Sequence, residues 1–548
     1  MRIELLAGWP GGLAMDGLSA VLAVTVAVVL VAVLVYAAGQ GYGVRFHVLI
    51  LLFAAAMLVT VTATDLMLLL MGWEVMGAMS YALIGYAWPD AERVRSADVA
   101  FLTTRAADMG LYAAAGFAVA GAHSLRLDEL AGADAPWRDL IAAGIVVSAL
   151  GKSAQLPFSF WLSRAMAGPS PVSALLHSAT MVAAGAYLLL RLHPLLAATG
   201  WAATLVCWAG ALTALVLGAV ALAQRDLKQL LAASTCAQIG FMVLGAGAGA
   251  IAGGTAHWVA HAAVKSLLFL CAGIWLAALG TQRLDELRGA ARRNRLVGAA
   301  FGVGALALAG VPPLSLWVTK DEVLAVAGES STALLVAGFA ASVLSSAYAA
   351  KALVMVFRRP ADGSAVRVTV LERLPLPVLA LAAAVLGVVG LPALAGPWRR
   401  MLGVPGEAAP HAWEVALSAG LAVATVAVVV VARRVPEPAW AADWLYLERA
   451  ASAVVVRPVL AVARALARFD DQVVDGAVRG VARGGRWTAG LAGRRVEFRV
   501  DALVGVVGRA ARGLAALARR PQTGQLHTYY AQAAVVLAVL VVIAVLAG

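Results

Sequence analysis

About fourteen apolar runs, each long enough at about 20 residues to cross a bilayer, leave this chain one kind of fold. They centre near residues 27, 54, 75, 110, 148, 181, 211, 240, 266, 305, 344, 384, 423 and 537. In hydrocarbon every backbone N–H and C=O needs a partner within the protein, and a helix satisfies its own. Hydrophobic residues fill 62% of the 548 positions and charged ones 13%, with mean hydropathy +0.88. No soluble domain could cover that much apolar surface. The expected fold is an all-α polytopic membrane protein. Residues 1–17 lack the basic start and apolar core of a cleavable signal peptide. Cys207, Cys236 and Cys271 lie in apolar runs and give neither a disulfide framework nor a metal-ligand spacing.

The net charge of +12 does not point to nucleic acid, because the arginines follow membrane topology. Counting helices from the first, one side carries Arg45, Arg93, Arg95, Arg225 and Lys228. The same side continues with Arg283, Arg288, Arg292, Arg293 and Arg295, then Arg358, Arg359, Arg367 and Arg373. The opposite loops are poorer: Arg126 and Arg138 sit among Asp128, Glu129 and Asp134, and residues 246–255 carry no charge. The positive-inside rule makes the first set cytoplasmic and both termini outward.

Ionisable residues within these runs mark the functional candidates, because charge at bilayer depth is costly and usually belongs to an ion path. His257, His261 and Lys265 recur every fourth residue and form one stripe of a helix. A lone histidine donating to a neighbouring carbonyl would be an ordinary structural feature; three titratable groups on one face weigh against that. Glu74 is flanked by a full apolar helix, Lys152 sits just before Pro157, and His177 closes the stretch from Gly168. Arg105 and Asp108 share a helix face, and Lys320, Asp321 and Glu322 follow Pro313. Singly, each could be a structural ion pair; together they supply a chain of titratable groups.

Pro157-Phe-Ser-Phe-Trp-Leu-Ser-Arg164 recurs as Pro313-Leu-Ser-Leu-Trp-Val-Thr-Lys320. Five helices separate the copies, so they run in opposite directions, as in inverted-repeat transporters whose broken helices mark the site. Chance could also give eight matching residues, although Pro, Ser, Trp and a terminal cation align together. From about Arg433 to Arg520 arginine becomes frequent, while Leu466, Phe469, Val473, Ala477 and Val481 keep near-helical spacing. This reads as an amphipathic helix along the cytoplasmic surface, about 100 Å long if continuous. Gly484, Gly485, Gly490 and Gly493 are possible interruptions, and lipid alone could hold such a helix. Gln522-Thr-Gly524 leads to a last membrane helix.

Gly72-Trp73-Glu74 with Ser80-Tyr81, Gly151-Lys152 through Met181, the His257–His261–Lys265 stripe, and Val311-Pro-Pro with Lys320-Asp321-Glu322 together resemble one family. It comprises the proton-translocating antiporter-like subunits of respiratory complex I (NADH:quinone oxidoreductase) and of multisubunit cation/proton antiporters. The resemblance covers nearly the whole chain, and the lateral helix with its terminal anchor points to the distal, chain L or chain 5 type. It implies sixteen membrane helices, with proton transfer at the positions of Glu74, Lys152, Lys265 and Lys320. His177, His257 and His261 would be relays, with Asp108 and Asp321 as further steps. Three departures stand out. Only about fifteen residues precede Asp16-Gly-Leu-Ser, where the family usually has two helices; Ser163-Arg164 replaces Pro-Asp; and Leu316-Trp317 replaces Gly-Phe.

The expected segments are 1–43 as an N-terminal helix, 44–192 and 193–357 as two inverted five-helix repeats, and 358–434 as further helices. A lateral amphipathic helix at 435–526 and an anchor at 527–548 complete them. The chain shows no nucleotide loop, flavin site or Fe–S ligand set, and no metal site. NADH, flavin, Fe–S clusters and quinone are therefore expected only in partner subunits. The expected partners are other membrane subunits, above all an adjacent antiporter-like one contacted by the lateral helix, with protons and lipids but no nucleic acid. The expected location is the bacterial inner membrane. In the expected mechanism, Glu74 approaching Lys152 keeps the lysine protonated and its withdrawal releases the proton. Three classes stay open: a proton-pumping subunit of a redox complex, a cation- or bicarbonate-coupled transporter or hydrogenase subunit, and a scaffold with vestigial charges.

Overall fold

In the computed structural model, which describes residues 2–6, 9–358, 367–432 and 435–548, short polar side chains start the helices. The side chains of residues 2–6, 9 and 10 are not described, and Arg359 and Arg433 of the charge pattern lie outside the described residues. Asp16, Asp65 and Asp90 accept first-turn N–H groups of α1 (Gly17–Gly39), α3 (Leu66–Ile84) and α4 (Ala91–Phe117). α2 (Val44–Thr62) lies between the first two. Each cap satisfies a donor that the helix itself cannot.

Short non-helical gaps separate several of the next helices. α5 (Trp137–Lys152) stops at Lys152, and helix resumes only at α6 (Phe160–Ala165). Pro157 lies in the gap, where its missing N–H costs no helical bond. α7 (Ser170–Leu176) ends on His177, and α8 (Met181–Arg191) continues after residues 177–180. α9 (His193–Thr199) leads into α10 (Trp201–Ala223), α11 (Leu227–Ala248) and α12 (Ile251–Leu279). After α13 (Ala290–Arg293), α14 (Arg295–Ala309) ends on Gly310 at φ +73°, a left-handed cap that glycine adopts without strain. α15 (Ser315–Ser330) starts beyond Pro312-Pro313 and is followed by α16 (Thr332–Phe357), α17 (Val370–Arg373), α18 (Pro375–Val385), α19 (Pro392–Met401) and α20 (Ala412–Ala432).

α8, α11 and most of α12 are buried throughout and form the centre, around Trp73, Trp161, Trp258 and Trp275. Close approach there depends on small residues: a Cβ at Gly240 would lie 2.7 Å from the Gly210 carbonyl oxygen, so α10 and α11 touch backbone to backbone. α1, α2, α18 and α20 instead expose valine and leucine on their outer faces, which suits lipid rather than water.

Twelve helices among the described residues are long and apolar enough to cross a membrane, against about fourteen expected. Three expected centres are not among them: α4 is not apolar enough, and α5 and α14 are too short at 16 and 15 residues. One of the twelve, Trp444–Arg519, is the segment expected to lie along the surface. The all-α expectation also missed a small antiparallel hairpin, Arg2–Leu6 with Trp9–Gly12.

A second unit, Ala451–Gly548, consists of a long helical run and a terminal helix, Leu526–Ala547. Of the four glycines, Gly484, Gly485 and Gly490 do not interrupt the run, while Gly493 lies in one of its π-type segments, Ala492–Glu497; the others are Ser452–Val456 and Asp470–Val474. Leu466, Phe469, Val473 and Val481 are exposed on it.

Candidate functional site

Lys152 ends α5, where a cation faces the negative end of the helix dipole. It is fully buried, and its Nζ donates to Asp108 Oδ2 of α4 at 3.0 Å. Trp73 Nε1 (2.6 Å) and Ser148 Oγ (3.3 Å) both donate to the other oxygen, Asp108 Oδ1. The Trp73 ring lies 5.1 Å from the ammonium, and Gly77 leaves room for it, since a Cβ there would sit 3.4 Å from Nζ. A buried charge pair holds best when its remaining valences are met; here both Asp108 oxygens accept hydrogen bonds, while the ammonium has that one carboxylate and the Trp73 ring beside it. Glu74 is not the partner that the sequence suggested. It pairs with Arg105, partly exposed on α3 and α4, while its Oε1 has no hydrogen-bond partner among the described residues. Arg105 and Asp108 lie three residues apart, yet they take different carboxyl and ammonium partners.

The stripe on α12 is wholly buried, and each member meets a different neighbour. Lys265 Nζ donates to the Leu231 carbonyl of α11 at 3.0 Å and to the Ser234 hydroxyl, with no carboxylate in salt-bridge reach among the described residues. His261 Nδ1 lies 3.1 Å from the Ser178 carbonyl oxygen, in the gap between α7 and α8. His257 Nδ1 lies 3.1 Å from Thr319 Oγ1 of α15. Among the described residues, Nε2 of both histidines, both ring nitrogens of His177, Gln155 Oε1, Ser159 Oγ and Gln238 Oε1 are buried without a partner. Such a density of unpaired polar atoms in a dry core calls for water between them.

Lys320 lies against Gly310, where a Cβ would sit 2.8 Å from its Nζ, and 5.9 Å from the centre of the Phe241 ring. With Asp321, Trp317, Ser346 and Ser418 it lines a cleft with room for about one water. Ser418 Oγ donates to Asp321 Oδ2 at 2.6 Å, and Arg399 Nη2 to Glu322 Oε2 at 2.6 Å.

Two further lysines are buried, and one of them, Lys228, was expected among the cytoplasmic charges. Lys228 Nζ donates to the Met166 and Gly168 carbonyls, both at 2.8 Å, closing the open end of α6. Its place inside the apolar run that begins at Leu227 was the available signal. Lys351 is held on the Leu222 and Gln224 carbonyls and on Glu437 Oε1 at 2.8 Å. Arg164, one of the departures from the family pattern, donates through Nε (2.8 Å) and Nη2 (2.7 Å) to the two oxygens of Glu448.

Residues 63–345 match the family model for the transmembrane part of the NADH:quinone oxidoreductase/Mrp antiporter proteins. The chain is 34% identical to NADH-quinone oxidoreductase subunit L of Pseudomonas aeruginosa over 452 residues, 77% of this chain and 72% of that one. Among solved structures, a chain of the Mrp complex from Dietzia sp. superposes with a TM-score of 0.69 at 29% identity, over 94% of this chain and 57% of its own length. A chain of respiratory complex I from Thermus thermophilus shares the fold, with a TM-score of 0.65 at 24% identity, over 77% of this chain and 88% of its own.

Proposed function

The chain belongs to the NADH:quinone oxidoreductase/Mrp antiporter transmembrane family, and on that premise we propose that it is the antiporter-like, proton-moving subunit of a redox-driven membrane complex. One observation carries the reading: three fully or nearly fully buried lysines, Lys152, Lys265 and Lys320, lie with the buried His177, His257 and His261 in the apolar core. Histidine passes protons because each ring nitrogen can donate or accept. Lys152 keeps its proton while Asp108 stays beside it and yields it when the carboxylate is drawn away. Separating such a pair involves about 3–5 kcal/mol. Moving one charge against about 180 mV costs about 4 kcal/mol. The two match in scale. Glu74 would act from the lipid-facing side through Arg105, and Lys320 with Asp321 would be the step nearest the outer face.

The gaps at Pro157 and Pro313 are read as the broken helices of two inverted repeats, 44–192 and 193–357, in a bundle of fourteen spans. The segment 435–526 is read as a lateral strut for an adjacent antiporter-like subunit, and 527–548 as its anchor. Electron carriers would belong to partner subunits in the bacterial inner membrane. In sealed vesicles bearing the complex, Lys152→Ala and Lys265→Ala should each cut redox-driven proton uptake about tenfold or more. Lys152→Arg should fail too, since arginine does not release its proton. Full pumping in both alanine variants, with the subunit present, would leave the charged file a structural feature.

A second reading, a subunit of a cation/proton antiporter, is supported by the Mrp chain's match over 94% of this sequence. A hydrogenase or bicarbonate-uptake subunit using the same proton path is a further alternative. Subunits that co-purify in mild detergent separate these readings from the first.

A further inference from the structure

α12 carries the His257–His261–Lys265 stripe, yet its own sequence gives it no side-chain cap. Ala250 sits at the N-cap, and Ile251, Ala252, Gly253 and Gly254 follow. The cap comes from more than 150 residues away. Glu407, on the loop joining α19 to α20, accepts from the Ala252 N–H through Oε2 at 2.7 Å and from the Gly253 N–H through Oε1 at 2.8 Å. Trp398 Nε1 donates to the Ala252 carbonyl at 3.1 Å beside it. The neighbouring Ala408 carbonyl accepts from Arg399 Nη2 at 3.2 Å, and that nitrogen also holds Glu322. At Gly253, α12 approaches α15 so closely that a Cβ would lie 3.0 Å from the Glu322 carbonyl carbon. Through Glu407, its neighbour Ala408 and Arg399, this loop therefore ties the start of α12 to the helix of Lys320, Asp321 and Glu322, on the face opposite the arginine-rich loops.

We propose that Glu407 is an outer-face proton-binding site, which clasps the start of α12 as a carboxylate and loosens it when protonated. A carboxylate has two acceptor oxygens, and both are in use. Protonation turns one of them into a donor, so one of the two amides loses its partner. The charged groups bearing on the site are Arg399 of α19 and Glu322 of α15; the first turn of α12 has none. Burial pushes the Glu407 carboxyl up to about 7, against the pull of the Ala252 and Gly253 amides and Arg399, and Glu322 adds to the rise. The clasp is therefore closed above neutral pH and lost as pH falls through about 7. The site's part in transport, as the outermost stop for protons leaving Lys320 and Asp321, rests on the function proposed above. The clasp does not.

Hydrogen–deuterium exchange on the intact complex in nanodiscs tests the clasp directly. After correction for intrinsic rates, exchange of the Ala252 and Gly253 amides should rise about tenfold between pH 8 and pH 6, as expected for one charge-assisted hydrogen bond lost. Glu407→Gln retains one acceptor oxygen and should remove the step, leaving exchange fast at both pH values. Glu407→Ala should be faster still. No step in the wild type, or a step that survives in Glu407→Gln, overturns the proposal. In vesicles, transport should depend on the pH of the outer-face compartment in the wild type and lose that dependence in Glu407→Gln. An exchange step without any change in that profile overturns the link to transport. Wild-type vesicles that move no protons at all would count against the proposed function while the exchange result stands.

Discussion

Asp108 decides what Lys152 can do, because it supplies the counter-charge that a fully buried ammonium requires. Removing one member of a buried pair costs about 3–5 kcal/mol, whereas replacing both with apolar groups is often neutral. Asp108→Asn should therefore lower both the thermal stability of the subunit in its complex and the proton flux. Adding Lys152→Met should recover most of the stability and none of the flux, a contrast that differential scanning with vesicle pumping assays reads directly. If Asp108→Asn alone left stability unchanged, the pair would not be the buried unit described. At this scale the sequence was partly legible. Lys152 and Asp108 stood out as charges inside apolar helices, but their pairing did not, since Glu74 offers the same chemistry and 3.6-residue periodicity cannot say which carboxylate faces α5.

Between elements, a bidentate ion pair joins the end of α6 to the segment after residue 435: Arg164 with both oxygens of Glu448. Gln224 Nε2 adds bonds to the Ala441 and Ala442 carbonyls at 3.2 Å, and Glu437 holds both Arg225 and Lys351. Each group of the Arg164–Glu448 pair is about a third exposed, so solvent screens it and the pair contributes at most about 1 kcal/mol. Glu448→Arg should raise amide exchange across residues 437–450 by about fivefold at low salt, since 1 kcal/mol corresponds to about that factor. The double exchange Arg164→Glu with Glu448→Arg should return it to the wild-type rate. Failure of the swap to rescue would mean that packing, not charge, holds this segment. Arg164 stood out in the sequence as a departure from the family's Pro-Asp; its partner, 284 residues away, did not.

For the molecule as a whole, the alternation of arginine-rich and arginine-poor loops fixes a topology that labelling can check. The three native cysteines are buried, so background is low. A membrane-impermeant thiol reagent applied from outside should reach Gly406→Cys and miss Asp285→Cys; the reverse would invert the assignment and move the Glu407 site to the cytoplasmic face. The sequence alone determined that this chain crosses a membrane many times and which ends of its helices are basic. These properties follow from solvation and charge, which act locally and leave a local signature. It also marked the titratable residues, because charge within an apolar run is visible without a partner. Only the tertiary structure decided the pairings: Asp108 rather than Glu74 for Lys152, neutral partners for Lys265, carbonyls for Lys228, and a distant carboxylate at the start of α12. Each choice depends on which helix faces are brought within about 3 Å of one another, the range at which hydrogen bonds form. That distance is set by small-residue contacts such as Gly210 with Gly240, in which the whole bundle has to agree.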